Sequence, residues 1–147
     1  MMANKNELRL STEGLEGLMQ KLARLEHAAA RATVEQALQK VAEKVNADTV
    51  AALDKENLPA KGKYSAGTTA RSVNTDMTVR WEGMTAWIPV GFDFNLPGAG
   101  GYLISGTPKM QPVYQLRKMY RQKAYMREIN RMLWEELFNH INEAMEG

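Results

Sequence analysis

Apolar and polar positions alternate in Asn6-Glu-Leu-Arg-Leu10, a period of two that predicts a short strand. The period then lengthens. Leu15, Leu18, Met19, Leu22 and Leu25 recur at three- and four-residue spacing behind Ser11 and Thr12, with Glu13 and Glu16 beside them, which predicts a first helix over about 12–28. Val34, Leu38, Val41, Val45 and Leu53, set among alanines, predict a second or continued helix to about Lys55. Residues 56–72 (ENLPAKGKYSAGTTARS) then offer hardly an apolar anchor. With Pro59, Gly62, Gly67 and several small polar residues, they are expected to form a long, exposed and mobile loop carrying Lys61, Lys63, Tyr64 and Arg71.

The period returns to two at Val73, Thr75, Met77, Val79 and Trp81, and Glu82-Gly83 punctuates before a second arm over 84–92. That pattern predicts an antiparallel hairpin. Pro89 lacks a ladder donor, so its arm is expected at a sheet edge or at a bulge. The segment 93–101 (DFNLPGAGG) reads as a flexible turn, and Tyr102-Leu-Ile-Ser105 as a third strand. After Pro112 the pattern is helical to the end, with a break near Gln122. In the last helix Met126, Ile129, Leu133, Leu137 and Ile141 form one stripe, expected to pack on the sheet. Trp134, Phe138 and Met145 form a second stripe, a surface on which a partner could dock. The fold class expected is α+β: an antiparallel sheet of three to four strands against a long N-terminal helix pair and a C-terminal helix, in one domain spanning 1–147.

Charge changes the picture more than composition does. The net charge of +2 hides a split. Residues 1–60 carry eight Lys/Arg against nine Asp/Glu, residues 61–131 eleven against four, and residues 132–147 none against four. The basic run Lys109, Arg117, Lys118, Arg121, Lys123, Arg127 and Arg131, interleaved with Tyr114, Tyr120 and Tyr125, suits phosphate or an acidic surface. A solvated helix face explains the same run equally well. The chain has no cysteine, which removes disulfides and thiolate chemistry. It has neither a signal-peptide core at its start nor an apolar run of about 20 residues, so a soluble protein of the cytoplasm is expected.

Little else points to catalysis. His27 and His140 fall on different helices without a ligand pattern around them. Ser11, Ser65, Ser72 and Ser105 lack a nucleophile-elbow context. Gly98-Ala-Gly-Gly101 lacks the Gly-Lys-Ser/Thr ending of a phosphate loop, and the adjacent Glu135 and Glu136 point apart on a helix. No enzyme activity, cofactor or metal is expected, and non-specific nucleic-acid binding through 109–131 is the alternative.

Several short motifs, in order, resemble those of one family. They are Gly14-Leu-Glu-Gly-Leu18 opening a leucine-rich helix, an alanine-rich helix over 30–55, and Arg71-Ser-Val73 leading into a hairpin. Tyr102-Leu-Ile-Ser-Gly-Thr107, Lys109-Met110 and Gln111-Pro112-Val-Tyr114 complete the series. In that order they resemble the tail-completion or head–tail joining proteins of long-tailed bacteriophages, the gene-product-ten-like group akin to minor tail protein Z. Two positions depart from the family pattern: Ile104 and Ser105 stand where it has an acid and an aromatic residue. The loop before the hairpin also lacks the family's Gly-x-Leu.

The resemblance implies a non-catalytic virion component at the tail or neck, assembled in the host cytoplasm into a ring, six-fold by expectation. Its partners would be the tail tube or major tail protein and the head–tail connector proteins, with packaged DNA passing through the lumen and no membrane involved. Contacts between neighbours would fall on Tyr102, Ser105, Gly106, Thr107, Lys109, Met110, Pro112, Trp134 and Phe138, and DNA would face Arg117, Lys118, Arg121 and Lys123.

Overall fold

The computed structural model describes residues 7–22, 27–53, 58–74, 76–108 and 111–146, except the side chains of 21, 22, 27–29 and 144–146. It is an α+β fold with one three-stranded antiparallel sheet. The elements run β1 (Leu8–Ser11), α1 (Glu16–Leu22), α2 (His27–Ala51), α3 (Ala66–Arg71), β2 (Arg80–Glu82), β3 (Thr85–Val90), α4 (Gly100–Ser105), α5 (Tyr114–Arg121) and α6 (Lys123–Glu146).

The first strand forms as its alternation predicts, pairing Leu8 with Val90 and Leu10 with Ile88. Thr12 extends the ladder beyond the strand: its N–H donates to the Ala86 carbonyl and its Oγ1 accepts from the Ala86 N–H, each at 3.0 Å. Thr12 and Ser11 therefore finish the strand and its turn rather than cap the helix. The first helix opens at Glu16, not at residue 12.

The sheet order is β1-β3-β2, so the strand holding Pro89 is central, not at an edge. Ladder geometry explains why proline survives there. Thr12 bonds to Ala86 through its N–H and its Oγ1, and Leu8–Val90 and Leu10–Ile88 are in phase with that pair. The even-numbered β3 residues therefore turn their backbone groups to β1, and the Pro89 nitrogen points to the other side. On that side the pairing with β2 already ends at Arg80 opposite Trp87, and no ladder bond is lost. The two-residue Gly83-Met84 turn joins β2 to β3, with Gly83 at φ +62° in its first position.

Of the expected first hairpin arm over 73–81, Arg80 and Trp81 pair with β3 and Val73 bridges to Phe92, while α2 takes over part of the backbone between them. Gln39 donates to the Met77 carbonyl at 2.8 Å, and Asn46 to the Asn74 carbonyl at 3.0 Å. Trp81 lies on α2 in the same way, its indole N–H donating to Glu35 at 3.1 Å beneath the Arg31 guanidinium.

Two larger departures share one cause, tertiary partners that a local reading does not contain. Tyr102-Leu-Ile-Ser105 is the helix α4, not a strand. Leu103 and Ile104 are adjacent and both fully buried, which a helix allows and an alternating strand does not. The expected loop over 56–72 likewise holds α3, capped by Ser65 accepting from the Thr68 N–H at 3.0 Å. Thr69 is fully buried there, its hydroxyl accepting from the Ala99 N–H at 2.9 Å.

The core divides into two clusters. The first gathers Leu10, Leu18, Val34, Leu38, Val41, Val45, Ile88, Val90, Ile129, Leu133 and Leu137 from β1, α1, α2, β3 and α6. Here the last helix packs chiefly along α2, and the sheet also rests on α2. The second gathers Leu53, Val73, Phe92, Leu103, Ile104, Leu116, Met119 and Tyr120, and is built mainly on α4 and α5.

The two clusters meet at Gly91 and Phe92. The Tyr120 hydroxyl accepts from the Phe92 N–H at 2.9 Å and lies 3.1 Å from the Thr49 hydroxyl. Asn46 accepts from the Gly91 N–H at 2.7 Å, while Asn74 donates twice to the Gly91 carbonyl, at 2.8 and 2.9 Å. Gly91 sits at φ +75°, and a Cβ there would meet the Tyr120 hydroxyl at 2.0 Å. Only glycine fits.

Gly91→Ala is therefore expected to destabilise the fold by about 2–4 kcal/mol, from the left-handed backbone and the clash together. Tyr120→Phe is expected to cost about 1–3 kcal/mol by leaving the Phe92 N–H without a partner. In the double variant the 2.0 Å contact is gone but the ring carbon Cζ stays 2.8 Å from the new Cβ, so the clash is relieved in part and urea midpoints should show a combined cost below the sum.

Burial also pushes the Tyr120 phenol up from 10.0 to about 12, with its hydrogen bonds from Thr49 and Phe92 opposing the shift. The unfolded chain then loses this proton first as pH rises. The stability tied to the neutral phenol is complete below pH 10 and is lost between pH 10 and about 12, with a slope near 1.4 kcal/mol per pH unit. Burial and Asp48 push Tyr125 in the same direction. Urea midpoints followed through this window should fall in the native protein and fall less steeply in Tyr120→Phe.

Candidate interaction surface

The motif segment at 102–114 divides its residues between core and surface. Leu103 and Ile104 anchor α4 in the second cluster, while Tyr102 (48% exposed) and Ser105 face solvent. Gly106, at φ +77°, ends the helix, and Gly106, Thr107 and Pro112 are partly buried. Lys109 and Met110 lie outside the described residues.

Tyr102 does not stand alone. The Tyr64 ring meets it edge-on at 5.5 Å between centroids, and the hydrogen bond to the Tyr64 hydroxyl raises the Tyr102 phenol above its ordinary range. Phe94, Leu96, Pro97, Gly98 and Gly101 continue this pair into a shallow groove bordered by Lys63. One helical turn along α4, Ser105 accepts from the Arg121 guanidinium at 2.7 Å, tying α4 to α5. Tyr64 and Tyr102 come from segments expected to be a loop and a strand, so no local pattern pairs them. Phe94 and Leu96 are further contributors that lay inside the expected flexible turn.

The three tyrosines of the basic run separate. Tyr120 is buried in the junction described above. Tyr125 is half-buried, and its hydroxyl donates to Asp48 at 2.8 Å. Tyr114 remains, 67% exposed, with the Lys118 ammonium 5.9 Å from its ring centre. Arg117, Lys118, Arg121 and Lys123 are all exposed, as are Lys61, Lys63, Tyr64 and Arg71.

On α6, Trp134 (41% exposed) stacks flat on the partly buried Phe138, with centroids 4.9 Å apart and planes 8° from parallel. The Met145 side chain lies outside the description. The outer sheet face presents Trp87 between Arg9 and Arg80, at 4.1 and 5.1 Å from its ring. Among the described residues no cluster of three or more His, Asp or Glu side chains could hold a metal ion, and no helix is long and apolar enough to cross a membrane. His140 lies 3.5 Å from the carboxylate of Glu136, four residues earlier on its own helix.

The position where the resembled family has an acid, Ile104, is fully buried. Ile104→Glu is therefore expected to cost about 3 kcal/mol or more, because a carboxylate would enter the second cluster without a partner. Ser105→Phe, at the neighbouring exposed position, should stay within about 1 kcal/mol. Chemical unfolding of the two variants checks both values.

No protein-family model matches the chain, and neither a curated protein nor a solved structure does.

Proposed function

We propose that this protein is a virion structural component at the head–tail junction of a long-tailed bacteriophage. In this reading it assembles as a ring and joins the tail tube to the head connector. The observation that supports the reading most is the Trp134–Phe138 stack. A solvent-facing Trp134, held flat by the partly buried Phe138 on the outside of a small domain, is the kind of surface that a protein partner covers. The strand β1 adds a second contact face. It has β3 on one side and no strand on the other among the described residues, an edge on which another chain can pair. A ring requires two different faces on each copy, and these are two.

The motif order supports the same reading. Gly14-Leu-Glu-Gly-Leu18 leads into α1, the alanine-rich stretch is α2, Arg71-Ser-Val73 closes α3, and Tyr102–Thr107 is α4 with its cap. In the finer layout proposed here, the α1–α2 pair and α6 form the platform that carries the sheet.

The test uses a phage that encodes this chain. Virions made without the gene should accumulate as full heads and separate tails in electron micrographs, and adding purified protein should restore joining. Heads and tails that join normally without it would overturn the reading. Trp134→Ala should impair assembly while shifting the stability of the isolated chain by no more than about 1 kcal/mol.

A further inference from the structure

Most of the second cluster comes from two chain segments that contain no acidic residue. Residues 57–75 and 94–127 carry nine of the 19 Lys/Arg and none of the 17 Asp/Glu, and they supply the whole of α3, α4 and α5. Among the described residues the flanking acids are engaged: Asp76 pairs with Arg80 and Glu128 with Arg131. Asp48 accepts from Lys44 and from the Tyr125 hydroxyl, and Asp93 accepts from the Asn95 N–H.

Across this half of the molecule the side chains form one connected strip. The Lys63 ammonium lies 5.5 Å from the Tyr64 ring centre, and Tyr64 meets Tyr102 at 5.5 Å. Tyr102 precedes Ser105 by one turn of α4, and Ser105 accepts from Arg121 at 2.7 Å. Arg121 follows Lys118 by one turn of α5, and Lys118 sits 5.9 Å from the Tyr114 ring centre. Cations and exposed tyrosines are thus interspersed along α4, α5 and the segment that precedes α3.

The geometry points to a binding site for single-stranded nucleic acid on this strip. Phosphates would lie against Lys63, Arg117, Lys118 and Arg121, and bases would stack on Tyr64, Tyr102 and Tyr114. Cations alone would serve an acidic protein as well. The interleaved, solvent-facing rings decide for nucleic acid, because every base offers a face to stack, and for a single strand, because duplex bases are already stacked on one another. The inference goes beyond the head–tail reading and does not rest on it.

Fluorescence anisotropy of the full chain with a labelled deoxythymidine strand tests it, beside a duplex of equal length. The strand should bind more tightly than the duplex, and affinity should fall as salt rises. Tyr102→Ala with Tyr114→Ala should weaken binding by on the order of tenfold for each ring, whereas the two phenylalanine variants should keep it. Lys63→Ala with Lys118→Ala should make the logarithmic salt slope shallower by about 1.4. All four side chains are exposed, and circular dichroism should show the native fold in every variant. Absence of binding at low salt, equal affinity for duplex, or indifference to loss of the rings would overturn the proposal. So would displacement of the strand by polyglutamate at equal charge, which would mark the strip as a contact for an acidic protein.

Discussion

One hydroxyl holds the two halves of this protein together. Tyr120 reaches from α5 to the Phe92 N–H and to Thr49 on α2, at the point where the central strand leaves the sheet. An amide buried at that point without an acceptor would cost about as much as a typical core mutation. The tyrosine therefore serves both clusters, its ring packing with Phe92 at 5.6 Å between centroids and its hydroxyl closing the backbone. Gly91 is the complementary constraint, since the approach exists only where no Cβ intervenes. Asn46 and Asn74 complete the junction by satisfying both backbone groups of Gly91, so the turn out of the sheet has one conformation.

The parts legible in the sequence are those where a local period is long and its partners lie close in the chain. The second helix shows a sustained apolar stripe from Val34 to Val45, and the last helix one from Ile129 to Ile141; the structure buries both. The strands β1 and β3 alternate cleanly and pair as alternation demands. Four residues such as Tyr102–Ser105 are too few to tell a period of two from one of 3.6. What decides that segment is the burial of both Leu103 and Ile104 against α5 and Phe92, which is settled by distant residues. The polar residues of α3 misled for a related reason. Serine and threonine read as solvent-loving, yet Ser65, Thr69 and Ser72 are buried and hydrogen-bonded inside the fold.

The candidate surfaces were legible to the same degree. Trp134 and Phe138 are four residues apart on one helix, so their stacking follows from spacing alone. The basic character of α5 was equally plain. The identity of its aromatic neighbours was not, because sequence proximity nominated Tyr120 and Tyr125, whereas folding brings up Tyr64 and Tyr102 from other segments.

These two outcomes on α5 are one geometric fact. Tyr120, Leu116 and Met119 are buried on one side of the helix. With 3.6 residues per turn, fixing that side inward turns Tyr114, Lys118 and Arg121 outward together, since they are spaced by four and three residues. The same rotation brings Arg121 onto Ser105 and so sets α4 beside it, with Tyr102 one turn away and Tyr64 against it. The junction at Gly91 thus does more than hold the core. It orients the helix whose outer face carries the cations, and the joint exposure of Tyr114, Lys118 and Arg121 on that face follows from where the Tyr120 hydroxyl is anchored.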